Sequence, residues 1–105
     1  MKIFKYPLYY HSVPEIVRLP VGAKVLCAGI QEHNSPKTVL WALVDEGAEL
    51  EERIFILAFT GHDIEGKVEN TYNTLFFPNN IVAHLLELSG VEGADPKKDE
   101  RLIKM

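Results

Sequence analysis

The sequence predicts an all-β domain: a small antiparallel sandwich or barrel of six to seven strands, followed by a short C-terminal helical arm. Three observations predict it. Short runs rich in Val, Ile, Phe, Tyr and Leu recur roughly every 8–12 residues, which is the spacing of an all-β chain. Turn-forming residues separate the runs, at Pro14 and at residues 20–22, 34–36, 46–48, 61–67 and 78–80. Two of the runs, residues 38–45 and 53–60, are apolar at odd and even positions alike, so neither face of those strands expects water.

The first strand is expected near residues 2–9. Pro7 edges or ends it, because proline cannot donate to a ladder. Residues 15–19, Glu-Ile-Val-Arg-Leu, form the second. Pro20-Val21-Gly22-Ala23 then turns the chain: Pro fixes φ and Gly permits a positive one. The third strand covers 24–32 and leads into the polar segment 32–37, which reads as a hairpin tip. Strands at 38–45, 53–60 and 68–77 follow. Glu49, Glu51 and Glu52 read as a solvated acidic loop before the fifth. Residues 81–88 fit either period: Asn79 or Asn80 offers a helix cap, while the length suits a strand. Beyond Gly90 the composition changes. Residues 91–105 form a charged arm, with Asp95 as a cap, Pro96 at the first helical position and Leu102, Ile103 and Met105 as an apolar end. The domain is therefore expected over 1–90 and the arm over 91–105.

Strands apolar on both faces must lie between layers or meet another subunit. A chain of 105 residues has little material for both layers, so a homo-oligomer is expected. The balance of 15 acidic against 11 basic residues, a net charge of −4, argues against holding duplex nucleic acid by phosphate neutralisation. No apolar run approaches a membrane span, and residues 1–10 lack a signal-peptide core. The single Cys27 fits a reducing, cytoplasmic setting.

Met1-Lys2-Ile3-Phe4-Lys5-Tyr6-Pro7-Leu8, the turn Pro20-Val21-Gly22-Ala23, the strand Leu40-Trp41-Ala42-Leu43-Val44-Asp45, the turn Thr60-Gly61-His62 and Ala83-His84-Leu85 occur in this order. Together they resemble a family of small phage and prophage proteins of unknown function, over most of residues 1–88. The resemblance implies a phage genome context, a strand at 81–88, the cytoplasm of an infected bacterial host and action by binding a host component. It supplies no activity. Residues 89–105 depart from it.

The chemistry-bearing residues are sparse. His11, His33, His62 and His84 show no metal-ligand spacing, and no Cys cluster accompanies them, so no metal or other cofactor is expected. His62 and Asp63, with Asp45 or Glu52, are the candidates for an acid–base set. The alternative is a plain turn in which Gly61 supplies the φ. Ser12, Ser35 and Ser89 sit in no nucleophile elbow, and no glycine opens a phosphate loop. Trp41 reads as a core anchor, His84 as a core or interface histidine and Cys27 as a small hydrophobe.

The function expected is therefore non-enzymatic: inhibition of a host factor, such as an antiviral defence component, by stoichiometric binding. Trp41, Phe55, Phe59, Leu102 and Ile103 are its candidate partner or oligomer contacts. The alternative is an oligomeric sponge for a nucleotide-like signal, with Arg18, Lys37, Arg53 and Arg101 on phosphates and Tyr9, Tyr10 and Tyr72 stacking on bases. A small hydrolase using His62 is the third reading.

Overall fold

The computed structural model describes residues 1–31 and 38–89. They form seven strands: β1 (Lys2–Leu8), β2 (Glu15–Pro20), β3 (Lys24–Ile30), β4 (Thr38–Val44), β5 (Leu50–Phe59), β6 (Lys67–Phe77) and β7 (Ile81–Ser89). The only helical piece among the described residues is a single 3-10 turn, Pro78–Asn80. No helix among them is long and apolar enough to cross a membrane. Every pairing is antiparallel, in one sheet of order β1-β4-β3 and another of order β2-β5-β7-β6. The two sheets stay open, so the barrel alternative is excluded. The hairpin tip expected at 32–37 and the helical arm expected over 91–105 lie outside the described residues.

Turn chemistry decides where the chain changes sheet. Ala23 N–H donates to Pro20 O at 3.0 Å across the β2–β3 turn, and Gly22 takes a φ of +82° there. Gly47 N–H donates to Asp45 Oδ1 at 3.1 Å, which closes an Asx turn as the chain leaves β4. Glu15 anchors the first crossing: its buried carboxylate accepts from the Tyr9 and Tyr10 N–H groups at 2.9 and 3.2 Å.

One open alternative is settled and one expectation is corrected. Asn79 and Asn80 cap no helix; both take a positive φ, 65° and 61°, and turn β6 back into β7. Residues 81–89 are a strand because β5 and β6 pair with them on either side, and that pairing overrides the local ambiguity. Nor do Glu51 and Glu52 belong to a loop. β5 begins at Leu50 and pairs back to Pro20, so Glu52 stands opposite Arg18, with Arg18 Nη2 3.3 Å from Glu52 Oε2.

The core lies between the sheets. Leu8, Val25, Ala28, Leu40, Ala42 and Val44 face Val17, Leu19, Phe55, Leu57, Leu75 and Leu85. The strands that are apolar on both sides each split their residues. From β5, Phe55 and Leu57 enter this core, while Ile54, Ile56 and Ala58 join Leu86 and Leu88 in a second cluster on the outer side of the four-stranded sheet. From β4, Leu40, Ala42 and Val44 point inward. Val39, Trp41 and Leu43 point outward.

Trp41 therefore does not anchor the core between the sheets. Its indole covers Gly29 on the neighbouring β3, so closely that a Cβ at residue 29 would sit 2.6 Å from Cζ3. Gly29→Ala is expected to displace the indole and cost about 1–3 kcal/mol, as overpacking does. Tryptophan emission and a denaturant titration check this, and unchanged values for both would show that the contact is not made.

Candidate functional site

Three places concentrate chemistry. The first is an ionic knot on the inward side of the four-stranded sheet. Arg53 is on β5, two residues before Phe55, and Glu87 is on β7, two residues after Leu85, so both follow core residues into the interior. The guanidinium meets the carboxylate in a fork: Nε donates to Oε2 at 2.7 Å and Nη2 to Oε1 at 2.8 Å. Arg53 Nη1 donates to Ala23 O at 2.6 Å. Tyr72 Oη and Asn70 Nδ2 donate to Glu87 Oε1 at 2.7 and 3.1 Å. The Phe55 ring lies under the guanidinium, 5.6 Å from Cζ to centroid.

Burial alone would raise the Glu87 pKa, but its bonds to Arg53, Tyr72 and Asn70 outweigh that and hold it below the usual value. The Tyr72 phenol is pushed up from 10.0 to about 12, first by burial and then by its bond to Glu87. Arg53 is held charged by Glu87, against the effect of burial. At Glu15, burial outweighs the two N–H bonds and raises the carboxyl.

The second place is the far end of β5, where hydroxyls meet histidines. Gly61, with a φ of +91°, lets the chain turn, and His62 N–H closes the turn on Phe59 O at 3.0 Å. His62 Nδ1 lies 2.9 Å from Ser12 Oγ, which also accepts from Phe59 N–H at 3.1 Å. Ser12 itself takes a left-handed φ of 57° and donates its N–H to Leu57 O at 2.7 Å. On β7, both ring nitrogens of His84 meet threonine hydroxyls: Nε2 and Thr60 Oγ1 at 2.9 Å, Nδ1 and Thr74 Oγ1 at 3.0 Å. His11 stacks on Phe59 at 4.9 Å between centroids, and Phe77 meets both rings edge-on. A shallow cleft of about 520 Å³ lies beside this cluster, lined among others by Thr60, His62, Ile64, Thr74 and His84.

Ser12 and His62 have the spacing of a nucleophile and a base. The rest of an acid–base set is not assembled around them. Among the described residues no carboxylate is bonded to His62: Glu52 pairs with Arg18, and Asp45 closes its own turn. Asp63 is exposed beside His62 in sequence only. Sequence reasoning set Ser12 aside for want of a nucleophile motif, read Thr60 only as part of a turn and did not single out Thr74, because a hydroxyl carries no signal until the turns bring it to a histidine.

The third place is the outer face of the three-stranded sheet. Ile3, Lys5 and Pro7 on β1 stand opposite Leu43, Trp41 and Val39 on β4, with Lys24 and Cys27 on the other side. A bulge between Val25 and Cys27 adds Leu26, which is 42% exposed, and Ile3 is 60% exposed. Lys5 reaches past β4, its Nζ donating to Gln31 Oε1 at 3.1 Å, and Lys24 stands at the edge of this apolar surface. No other strand among the described residues lies over it.

The remaining sequence-predicted residues scatter. Phe55 is fully buried in the core, out of reach of a partner, because it is the inward residue beside Arg53. Phe59 is part of the ring stack with His11. Arg53 and Tyr72 are committed to Glu87. Tyr9 and Arg18 border a small hollow of about 190 Å³ that also holds the Glu15 carboxylate, and the Tyr10 N–H is bonded to that same group. Among the described members of the set assigned to a nucleotide-like ligand, Arg53 and Tyr72 therefore lie apart from Tyr9, Tyr10 and Arg18. His33, Lys37, Arg101, Leu102 and Ile103 lie outside the described residues. Among the described residues, no three His, Cys, Asp or Glu side chains are grouped so that they could hold a metal ion.

The ionic knot sets the pH response. Glu87 has a folded pKa below its unfolded one, so its contribution is complete above the ordinary carboxylate range and is lost as pH falls through the lowered value. Tyr72 has the opposite sign: its contribution is complete below pH 10.0 and is lost as pH rises towards about 12. Glu87→Gln is expected to cost about 3–5 kcal/mol at neutral pH, because Arg53 is left buried without its partner. It should also remove its share of the acid limb, and Tyr72→Phe the alkaline one. Thermal melts from pH 2 to 12 check both, and unchanged limbs would show that these groups do not carry them.

No curated protein matches the chain, and no solved structure does. A family model does match, over residues 1–94, which takes in all seven strands and all three places described above. The chain belongs to the family defined by DUF7352, a domain of unknown function.

Proposed function

We propose that the protein is non-enzymatic and works by stoichiometric capture of another protein on the outer face of its three-stranded sheet. The observation that supports this is the outward-facing Trp41, seated on Gly29 in the middle of an apolar surface that neither sheet covers. Large aromatic side chains at the centre of such a patch carry much of the energy of protein–protein contacts. The position also demands glycine beside it, so a specific shape is built there and not merely a greasy one. Lys5 reaches across the patch to Gln31 and Lys24 stands at its edge, on a chain whose net charge is −4. The partner surface that fits is apolar at its centre and acidic at its rim, and the charges add orientation and association rate. The resemblance to small phage and prophage proteins directs this reading to a factor of the bacterial host, an antiviral defence component being one that a bound small domain can block.

The test is quantitative capture from a bacterial host lysate with three baits. The wild type is expected to retain one host protein at equal stoichiometry. Ile3→Asp/Leu26→Asp should lose it while keeping its melting temperature, and Phe76→Asp, an exposed change on β6, should retain it. Lys5→Glu/Lys24→Glu should weaken capture most at low salt. Equal capture by the wild type and Ile3→Asp/Leu26→Asp would overturn the reading. So would light scattering showing this face occupied by a second copy, or a nucleotide that raises the melting temperature at micromolar concentration and emerges unchanged, which is the signature of the sponge.

A further inference from the structure

The two flanks of the sandwich are finished differently. On one flank Asn73 of β6 bonds both the N–H and the C=O of Ala28 on β3. The other flank is formed by β1 and β2, each the outermost strand of its sheet. A hollow of about 190 Å³ opens there, lined among others by Tyr6 and Pro7 of β1, by Tyr9, and by Glu15, Val17 and Arg18 of β2. Glu15 is only 6% exposed. Its carboxylate takes two hydrogens: the Tyr9 N–H lies 2.9 and 3.2 Å from Oε1 and Oε2, and the Tyr10 N–H lies 3.2 Å from Oε2. A carboxylate offers about four acceptor sites, so these bonds leave part of its capacity unused. Neither bond brings a positive charge. The cations of the neighbouring strands are engaged elsewhere: Lys5 with Gln31, Arg18 with Glu52 and Arg53 with Glu87. A buried carboxylate is ordinarily paired with a cation, because burial disfavours its charged form. At Glu15 burial does raise the pKa, against the two N–H bonds.

We propose that this hollow binds a primary alkylammonium group, with Glu15 as its counter-ion and the Tyr6 and Tyr9 rings beside it. An ammonium supplies what the carboxylate lacks, a positive charge together with hydrogen-bond donors. Aromatic rings attract such a cation and cover the carbons next to it. Pockets for drug-sized ligands run to about 300–1,000 Å³, so a hollow of about 190 Å³ suits a head group with a few carbons and not a whole nucleotide. Arg18 is exposed and held by Glu52, which places its charge at the rim. Arg53, the inward cation of β5, spends its donors on Glu87 and on Ala23 O. Tyr6 and Tyr9 are the other titratable groups that line the hollow. Two sources carry the same chemistry, a free amine and a lysine side chain of another protein. Neither requires the capture assigned to the Trp41 face, so the two readings stand or fall separately.

Carboxyl carbon-13 resonances of the full-length protein test it, with butylammonium chloride as the probe. At neutral pH the probe is expected to shift the Glu15 carboxyl signal saturably and to leave that of the exposed Glu65 in place. It should also lower the pH at which Glu15 titrates. A bound cation favours the ionised carboxylate, so affinity should fall about ten-fold for each pH unit below the Glu15 midpoint. Butanol, of the same length and uncharged, should leave Glu15 unmoved. Tyr9→Ala should weaken binding several-fold, and Arg18→Gln should strengthen it about two-fold by removing a like charge from the rim. Nα-acetyl-lysine methylamide separates the sources: tighter binding than butylammonium supports the lysine of a partner, and weaker binding supports a free amine. A Glu15 signal that ignores butylammonium, or answers butanol equally, overturns the proposal. So does an affinity that holds constant below the Glu15 midpoint. These readouts come from the wild type, so they stand even where Glu15→Gln does not fold.

Discussion

Arg53 and Glu87 tie together more of the fold than any other pair. Their fork joins β5 to β7. Tyr72 and Asn70 add β6, and Arg53 Nη1 on Ala23 O reaches the turn where the chain passes from the four-stranded sheet to the three-stranded one. A buried ion pair of this kind adds little to stability compared with a well-packed apolar substitute. Its effect is to penalise misregistered alternatives. If β7 slipped by one residue, Glu87 would leave the interior and Arg53 would be stranded there, so the register of three strands is fixed at one point.

The same logic of side chains standing in for ladder bonds holds the sheets to each other. β6 carries an irregularity between Thr71 and Thr74, which lets successive residues serve different purposes. Tyr72 turns to Glu87, while Asn73 reaches β3. Its amide accepts from Ala28 N–H and donates to Ala28 O, both at 2.8 Å, as a neighbouring strand would. The open edge of β3 is satisfied in this way without closing the sheets into a barrel. Glu15 does the corresponding work at the opposite crossing by accepting from Tyr9 and Tyr10.

With the interior committed to packing and register, chemistry is left to the surfaces, and those differ. At the end of β5, histidines and hydroxyls saturate one another: His84 spends both ring nitrogens on threonines, and Ser12 is shared between His62 and the Phe59 backbone. That arrangement staples the 9–14 connection to the β5–β6 turn. The three-stranded sheet, by contrast, leaves Ile3 and Leu26 exposed on its outer face, and exposed apolar groups of that size cost a small domain solubility unless something binds there.

Six of the strands, and a strand as one of two alternatives for the seventh, were legible in the amino-acid sequence, because hydrophobic runs and turn residues report local geometry. Gly22 and Gly61 stood where positive φ was needed. The sequence also determined that β4 and β5 would be apolar on both sides. What it could not determine was which neighbour each side would meet. Trp41 looked like core and lies outside, since only the register of β3 against β4 places Gly29 beneath its ring. Arg53 and Tyr72 looked like phosphate and base contacts and are instead held by Glu87, a residue 34 positions from one and 15 from the other. Strand pairing over such separations is decided by the whole packed structure, through hydrogen bonds and buried charge that no local window contains.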